Sequence, residues 1–210
     1  MSLIAGCPRC ANRLDESADG WRCEHHGYVP PLWSPDAASY DGFGDHLRRA
    51  EDFPTYLPWP LAGGWRVTDF GVVRGNARAR ATMVSVAGST EPDGPVEVLV
   101  VSEEPGTGLG ARCAGTVHSD PGAEIIASRP TARVRLDSQP VPLWPVSTAE
   151  HDLSLDRSVV AGEAGGRWLW LVLRPASAVF LLTGDWPLAD VSGMGAHLLD
   201  VPFGGPPPGW

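Results

Sequence analysis

Two matched pairs of metal-ligating residues constrain the first 29 positions more tightly than anything else in the sequence. Cys7-Pro8-Arg9-Cys10 is followed, after twelve intervening residues, by Cys23-Glu24-His25-His26. Zinc takes four tetrahedral nitrogen or sulfur ligands, and a C-x2-C turn supplies two of them from one tight loop. The second loop repeats that spacing as C-x2-H, which predicts Cys7, Cys10, Cys23 and His26 as the ligand set. His25, at C-x-H spacing, is the tighter alternative for the fourth position. Pro8 inside the first loop and Gly27 after the second suit the turns required. A redox C-x-x-C belongs at a helix start behind a strand, whereas only six residues precede Cys7. Unmetallated buried thiols would not explain two pairs of equal spacing. Four protein ligands fill the shell, so the expectation is a structural zinc ribbon over residues 1–29 rather than a catalytic metal.

Charge narrows the partners. The chain has 210 residues, a formal net charge of −9 and a pI near 5.0. Nucleic-acid binding by phosphate neutralisation is therefore disfavoured, as is attraction to an anionic membrane. The ribbon carries Arg9, Arg13 and Arg22 against Asp15, Glu16, Asp19 and Glu24, so it has no basic stripe. A protein partner, or packing on its own chain, is the expectation. All 16 basic residues are arginines. Without lysine, P-loop phosphate binding, Schiff-base chemistry and protein-kinase chemistry are excluded. No stretch has the pattern of a signal peptide or the length of a membrane span, which points to the reducing cytoplasm. There, closely spaced cysteines favour metal over disulfides.

Beyond the ribbon, residues 30–56 read as a Pro-rich connector with a short helix over 44–52, and 57–210 as one β-rich domain. Segments 65–73, 79–86, 96–102, 132–136, 141–146, 159–163, 168–173 and 178–182 have strand length and β-formers, bounded by turn residues. In 168–173, Trp168, Trp170 and Val172 face one way and Leu169, Leu171 and Leu173 the other. Apolar on both faces, that strand belongs at the centre of a covered sheet, and 98–101 is a second of the kind. Gly165-Gly166 suits a two-residue hairpin turn between 159–163 and 168–173. The fold class is mainly β: a zinc ribbon followed by an antiparallel β-sandwich or open barrel with one or two short helices.

The segments C-P-R-C, W-R-C-E-H-H-G, L-P-W-P-L-A-G-G-W, E-E-P-G-T-G-L-G-A, G-E-A-G-G-R-W-L-W-L-V-L-R-P-A-S-A and the terminal P-F-G together resemble an actinobacterial family of small zinc-ribbon proteins of unknown function. Some of its members carry an automatic label of phosphotransacetylase. The resemblance spans nearly the whole chain and implies the ribbon and its C-x2-H ligand choice. It implies no activity.

Candidate chemistry outside the ribbon centres on Glu103-Glu104-Pro105-Gly106-Thr107-Gly108-Leu109-Gly110. Two carboxylates at a strand end beside a Gly-rich loop suit acid–base chemistry, or the loop amides suit an anion. A dinucleotide fingerprint needs its first Gly directly after the strand and a long helix beyond, which two acids, a proline and Gly115 deny. The competing expectation is a tight turn with two solvated acids. Catalytic candidates are Glu103, Glu104, Arg112 and Glu163. Consecutive His118-Ser119-Asp120 is no triad, because triad members converge from distant positions. His118, His151 and His197 read as surface residues, Cys113 as a small buried thiol. Trp33, Trp59, Trp65, Trp144 and Trp186 fall near strand ends, where they either line an aromatic groove for an extended peptide or plug the core. Trp210 ends the chain, frayed unless it docks. The leading expectation is a cytoplasmic protein-binding or adaptor module; the alternative is a hydrolase or transferase built on Glu103, Glu104 and Arg112.

Overall fold

Strands form where apolar alternation places them. The computed structural model describes residues 3–10, 12–116, 118–148, 156–184 and 186–206; His151 and Trp210 lie outside the described residues. The protein is mainly β, with one large open sheet and one small one. In chain order the strands are β1 (Ile4–Gly6), β2 (Asp15–Ser17), β3 (Gly20–Cys23), β4 (Gly27–Tyr28), β5 (Leu32–Ser34) and β6 (Tyr56–Pro58). There follow β7 (Arg66–Arg74), β8 (Ala79–Thr90), β9 (Gly94–Glu103), β10 (Ala132–Leu136), β11 (Gln139–Pro145), β12 (Ser158–Ala164), β13 (Arg167–Arg174) and β14 (Trp186–Asp190). Helices α1 (Tyr40–Ala50), α2 (Leu109–Ala114) and α3 (Gly122–Ala127) and 3-10 turns at Ala176–Gly184 and Gly195–Asp200 join them.

The large sheet runs β1-β5-β7-β8-β9-β13-β12-β11-β10-β14-β6, and its two end strands do not pair with each other. Every pairing in it is antiparallel except β10 with β14. Strand β11 bends: Leu143 and its predecessors pair with β10, while Trp144 and Pro145 pair with β12. The β10-β14-β6 arm thereby folds over one face of β7–β9 and encloses a core of Leu57, Val84, Val98, Val134, Leu171 and Leu188. The opposite face buries Met83, Leu99, Val101, Trp170 and Val172 beneath α2. Both faces of β13 are buried and it lies between β9 and β12, as its two-sided apolar pattern requires. Gly165 (φ 59°) and Gly166 (φ 77°) make the expected hairpin turn, a conformation two L side chains adopt only with strain. Strands β1 and β5 extend this sheet from the N-terminal side, so residues 4–6 and 32–34 are built into it.

Three local expectations needed correction. Residues 178–182 form a 3-10 turn, not a strand: Pro175 ends β13, Ala178 N–H donates to the Pro175 carbonyl (2.9 Å), and Phe180 is exposed. A short apolar run has no period that separates a strand from a buried helical turn. Strand β14, W-P-L-A-D, was hidden by its proline and acid. Helix α1 begins at Tyr40 rather than 44 because Ser39 caps it, accepting from Gly42 N–H at 3.2 Å. Gly42 masks that first turn in the sequence but is needed there, since a Cβ would lie 3.2 Å from the Phe70 ring.

Candidate metal centre and the loop packed against it

Strands β2, β3 and β4 form a separate three-stranded sheet; the turn between β1 and β2 carries Cys7 and Cys10, the end of β3 carries Cys23, and the β3–β4 turn carries His26. One donor atom from each of Cys7, Cys10, Cys23 and His26 lies within 4.8 Å of all the others. Cys10 and Cys23 Sγ are 3.6 Å apart, and His26 Nδ1 is 3.6 Å from both Cys7 and Cys23 Sγ. A tetrahedral metal with bonds of about 2.3 Å to sulfur sets such donors roughly 3.8 Å apart, so the residues fit a metal ion. Local folding explains the convergence. Cys7 N–H donates to the Asn12 carbonyl (2.8 Å), closing the first loop. Backbone N–H groups of Arg9 and Cys10 point at Cys7 Sγ, and those of His25 and His26 at Cys23 Sγ, a polarity suited to thiolates. Gly27 turns the chain with φ 66°. Of the two histidines, His26 is the one brought to the sulfurs.

Beyond the β1–β5 pairing, this unit packs on its own chain through two side-chain contacts that bear on the site. Trp21 meets Trp33 edge to face, 5.4 Å between ring centres, while Arg49 covers the Trp33 ring and the Trp33 indole N–H donates to the Arg74 carbonyl. The second contact comes from inside the first ligand loop. Arg9 Nη2 donates to the Gly106 carbonyl (2.7 Å) and Nε to the Thr107 carbonyl (3.2 Å). The arginine stem lies against Gly108, whose φ of 83° and lack of Cβ let it approach.

Arg9 thus grips the Gly-rich loop after Glu103. That loop is a turn, with Thr107 N–H and Oγ both bonded to the Glu104 carbonyl. Its two acids part company. Glu104 pairs with Arg78 and, at 3.3 Å, with Arg80. Glu103 is not the solvated acid expected: it is 0% exposed, under α2. Its pairing partner on β8 is Ala81, so β9 turns its side chain onto the face that α2 covers. Burial pushes its carboxyl up to about 7 despite backbone N–H groups of Gly110 and Leu109 and the Trp170 indole directed at it. Leu109 N–H donates to Oε2 at 2.8 Å, whereas Oε1 has no close, well-aligned hydrogen bond among the described residues. Gly106 N–H donates to Asp120 (2.9 Å). The Gly106 and Leu109 amides, among those that suited an external anion, are engaged by the chain's own carboxylates, and the Thr107 amide by the Glu104 carbonyl.

Arg112 stands in the same region, its Nη2 3.5 Å from Cys113 Sγ. Cys113 is buried as expected, and burial pushes its thiol up against the pull of Arg112. Asp69, which the sequence did not single out, joins them. Burial raises it to about 6, against the Phe70 N–H and Arg112. Its one available signal was that it is the lone acid in the otherwise mostly apolar strand β7. Glu163 is exposed at the β12–β13 turn; Trp168 pairs with both it and Glu103, and so separates them. His46 was also missed. It is fully buried on α1, stacked on Phe43, with Nε2 3.1 Å from Thr55 Oγ and its pKa lowered by burial to about 3. Its three-residue spacing from Phe43 marks it as a core position.

The tryptophans do not form one groove. Trp65 is buried 6.3 Å from the half-buried Trp186, and Trp59 N–H donates to the Pro187 carbonyl, so these three share one end of the sheet. Trp33 sits at the seam with the cysteine unit and Trp144 donates to the Ser128 carbonyl. His118 and His197 are exposed. Among the described residues no helix is long and apolar enough to cross a membrane.

No curated protein and no solved structure matches the chain. One family model does match, over residues 1–209, and on that nearly complete span the chain belongs to DUF6758, a family of unknown function.

Proposed function

We propose that residues 1–29 are a zinc ribbon in which Cys7, Cys10, Cys23 and His26 hold one structural Zn2+, and that the protein is a cytoplasmic protein-binding module. The convergence of four donor atoms, with amides aimed at two of the sulfurs, carries the metal reading. Four protein ligands leave no position for substrate, so the ion's role is to hold the fold. The ribbon braces residues 30–56 and the β-rich unit 57–210, and partner binding belongs to the latter two. A cleft of about 450 Å³ between α1 and the 195–200 turn supports this, with Tyr40, Phe43, Leu47 and Leu198 as its apolar lining and Asp41, Asp45 and Arg48 as charged groups beside them. Leu199, next in the chain, is 64% exposed.

Metal analysis of protein purified without chelator tests the first part. One zinc per chain is expected, lost in Cys10→Ser and in His26→Ala but kept in His25→Ala. Protein containing no zinc overturns it. The binding part predicts that native purification recovers a protein with the wild type that Leu47→Glu fails to recover.

One observation favours an enzyme as the second reading: two carboxylates with raised pKa values, Glu103 and Asp69, both lie close enough to act on the Cys113 thiol, as does Arg112. It predicts a small-molecule thermal shift that disappears in Glu103→Gln.

A further inference from the structure

The geometry points to Arg9 as a latch that couples metal occupancy of the ribbon to closure of residues 104–114 over Glu103 and Cys113. This rests on the metal reading above and adds a consequence to it.

Arg9 lies between two ligands, Cys7 and Cys10, so convergence of those sulfurs on a metal holds its backbone in addition to the Cys7–Asn12 bond that closes the loop. From that position its guanidinium reaches two successive carbonyls ninety-seven and ninety-eight residues away, Gly106 and Thr107. Those carbonyls belong to the link between β9 and α2. A helix as short as Leu109–Ala114 has no stability of its own, because nucleation is costly and few hydrogen bonds follow it. It stays in place through packing and through the link that delivers it. Packing is supplied by Leu109, Ala111 and Cys113 against Leu99 and Trp170, and Leu109 N–H reaches back to Glu103. Besides the backbone bond from Glu104 N–H to the Arg80 carbonyl (2.8 Å), the link has three side-chain anchors among the described residues: Glu104 on Arg78 and Arg80, Asp120 on the Gly106 N–H, and Arg9 on the two carbonyls. Only the third depends on the metal. Loss of metal loosens the ligand loop, weakens that anchor and leaves the other two, so the segment opens more often without melting the sheet behind it. Coupling between two sites is reciprocal, so release of the latch weakens metal binding by the same factor.

Hydrogen exchange read on peptides covering 104–114, with alkylation of Cys113 followed by mass spectrometry, tests the coupling. Zinc-loaded wild type, chelator-treated wild type and zinc-loaded Arg9→Ala are compared. Exchange and Cys113 labelling are expected to rise about tenfold in the second and third samples, the scale of ordinary allosteric coupling. Arg9→Lys, which keeps the charge but not the two-carbonyl fork, is expected between wild type and Arg9→Ala. Because Arg9→Ala retains all four ligands, it should still bind one zinc per chain. Wild-type exchange across 104–114 in zinc-loaded Arg9→Ala overturns the latch while leaving the zinc reading intact. So does an Arg9→Ala chain that fails to load zinc, since Arg9 would then serve ribbon folding itself. Chelated wild type that remains protected also overturns it.

Discussion

The cysteine unit and the large sheet are held together by different means. Around the four ligands the buried apolar side chains are Leu14 and Val29, with Trp21 half-buried beside them. The large sheet buries Leu169, Leu171 and Leu173 on one face and Trp170 and Val172 on the other, each face with its own cluster. Burying a Leu or Val side chain contributes about 1.5–3 kcal/mol, so two cannot order a three-stranded sheet of two- to four-residue strands. Structural zinc contributes about 10–16 kcal/mol in comparable small units. On the zinc reading proposed above, a segment too short to bury a core is specified by coordination, and one long enough to bury two is specified by packing.

The most severe way to break that contrast is removal of the metal. Chelation, or Cys10→Ser, should abolish protection throughout β2–β4, a loss on the order of 10 kcal/mol locally, while the large sheet keeps a cooperative melt. A simultaneous collapse of both on chelation, read by hydrogen exchange, would show the two regions to be one unit. The reverse experiment is Leu171→Ala, which opens a cavity at a fully buried position and should cost about 3 kcal/mol in denaturant unfolding. Metal stoichiometry should be unchanged in that variant.

The sheet region also carries opposed proton linkages. His46 is depressed to about 3 in the fold, so the unfolded chain takes its proton first. Stability from this residue is present above about pH 6.5 and is lost as pH falls toward 3, by up to about 1.4 kcal/mol per pH unit. His46→Gln should shrink the difference in melting temperature between pH 7 and pH 4 by the equivalent of about 3 kcal/mol. An unchanged difference would mean that the ring is protonated within the fold. Glu103 acts with the opposite sign. Its raised pKa means the fold holds the proton more tightly than the unfolded chain, so stability declines as pH rises from about 4.5 through about 7. Relative to wild type, Glu103→Gln should therefore be about 3 kcal/mol better placed at pH 8 than at pH 4.5, since a neutral amide avoids the burial cost of the charge. Equal loss of stability at both pH values would indicate that hydrogen bonds to the carboxylate outweigh its desolvation.

These sites were unequally legible. Cys7, Cys10, Cys23 and His26 could be read as a set because tight turns place ligands at fixed chain spacings. The two-sided pattern of β13 was equally readable, because strand period and burial are both local in sequence. Glu103 was misjudged for the opposite reason. Its neighbours Glu104, Pro105 and Gly106 describe a surface turn, and they do form one, yet the lid over Glu103 comes from α2 and the wall from Trp170, 67 positions along the chain.

Sequence by itself determined the elements whose causes lie within a few residues: the ligand loops, the Gly165–Gly166 hairpin and the central strands. Tertiary structure alone decided where those elements meet. It set Arg9 on the Gly106 and Thr107 carbonyls, turned Glu103 inward while Glu104 stayed with Arg78 and Arg80, and brought Asp69 toward Arg112. The physical reason is that spacing fixes backbone geometry over a turn or a strand, whereas burial of a charge depends on surfaces contributed by residues dozens of positions away.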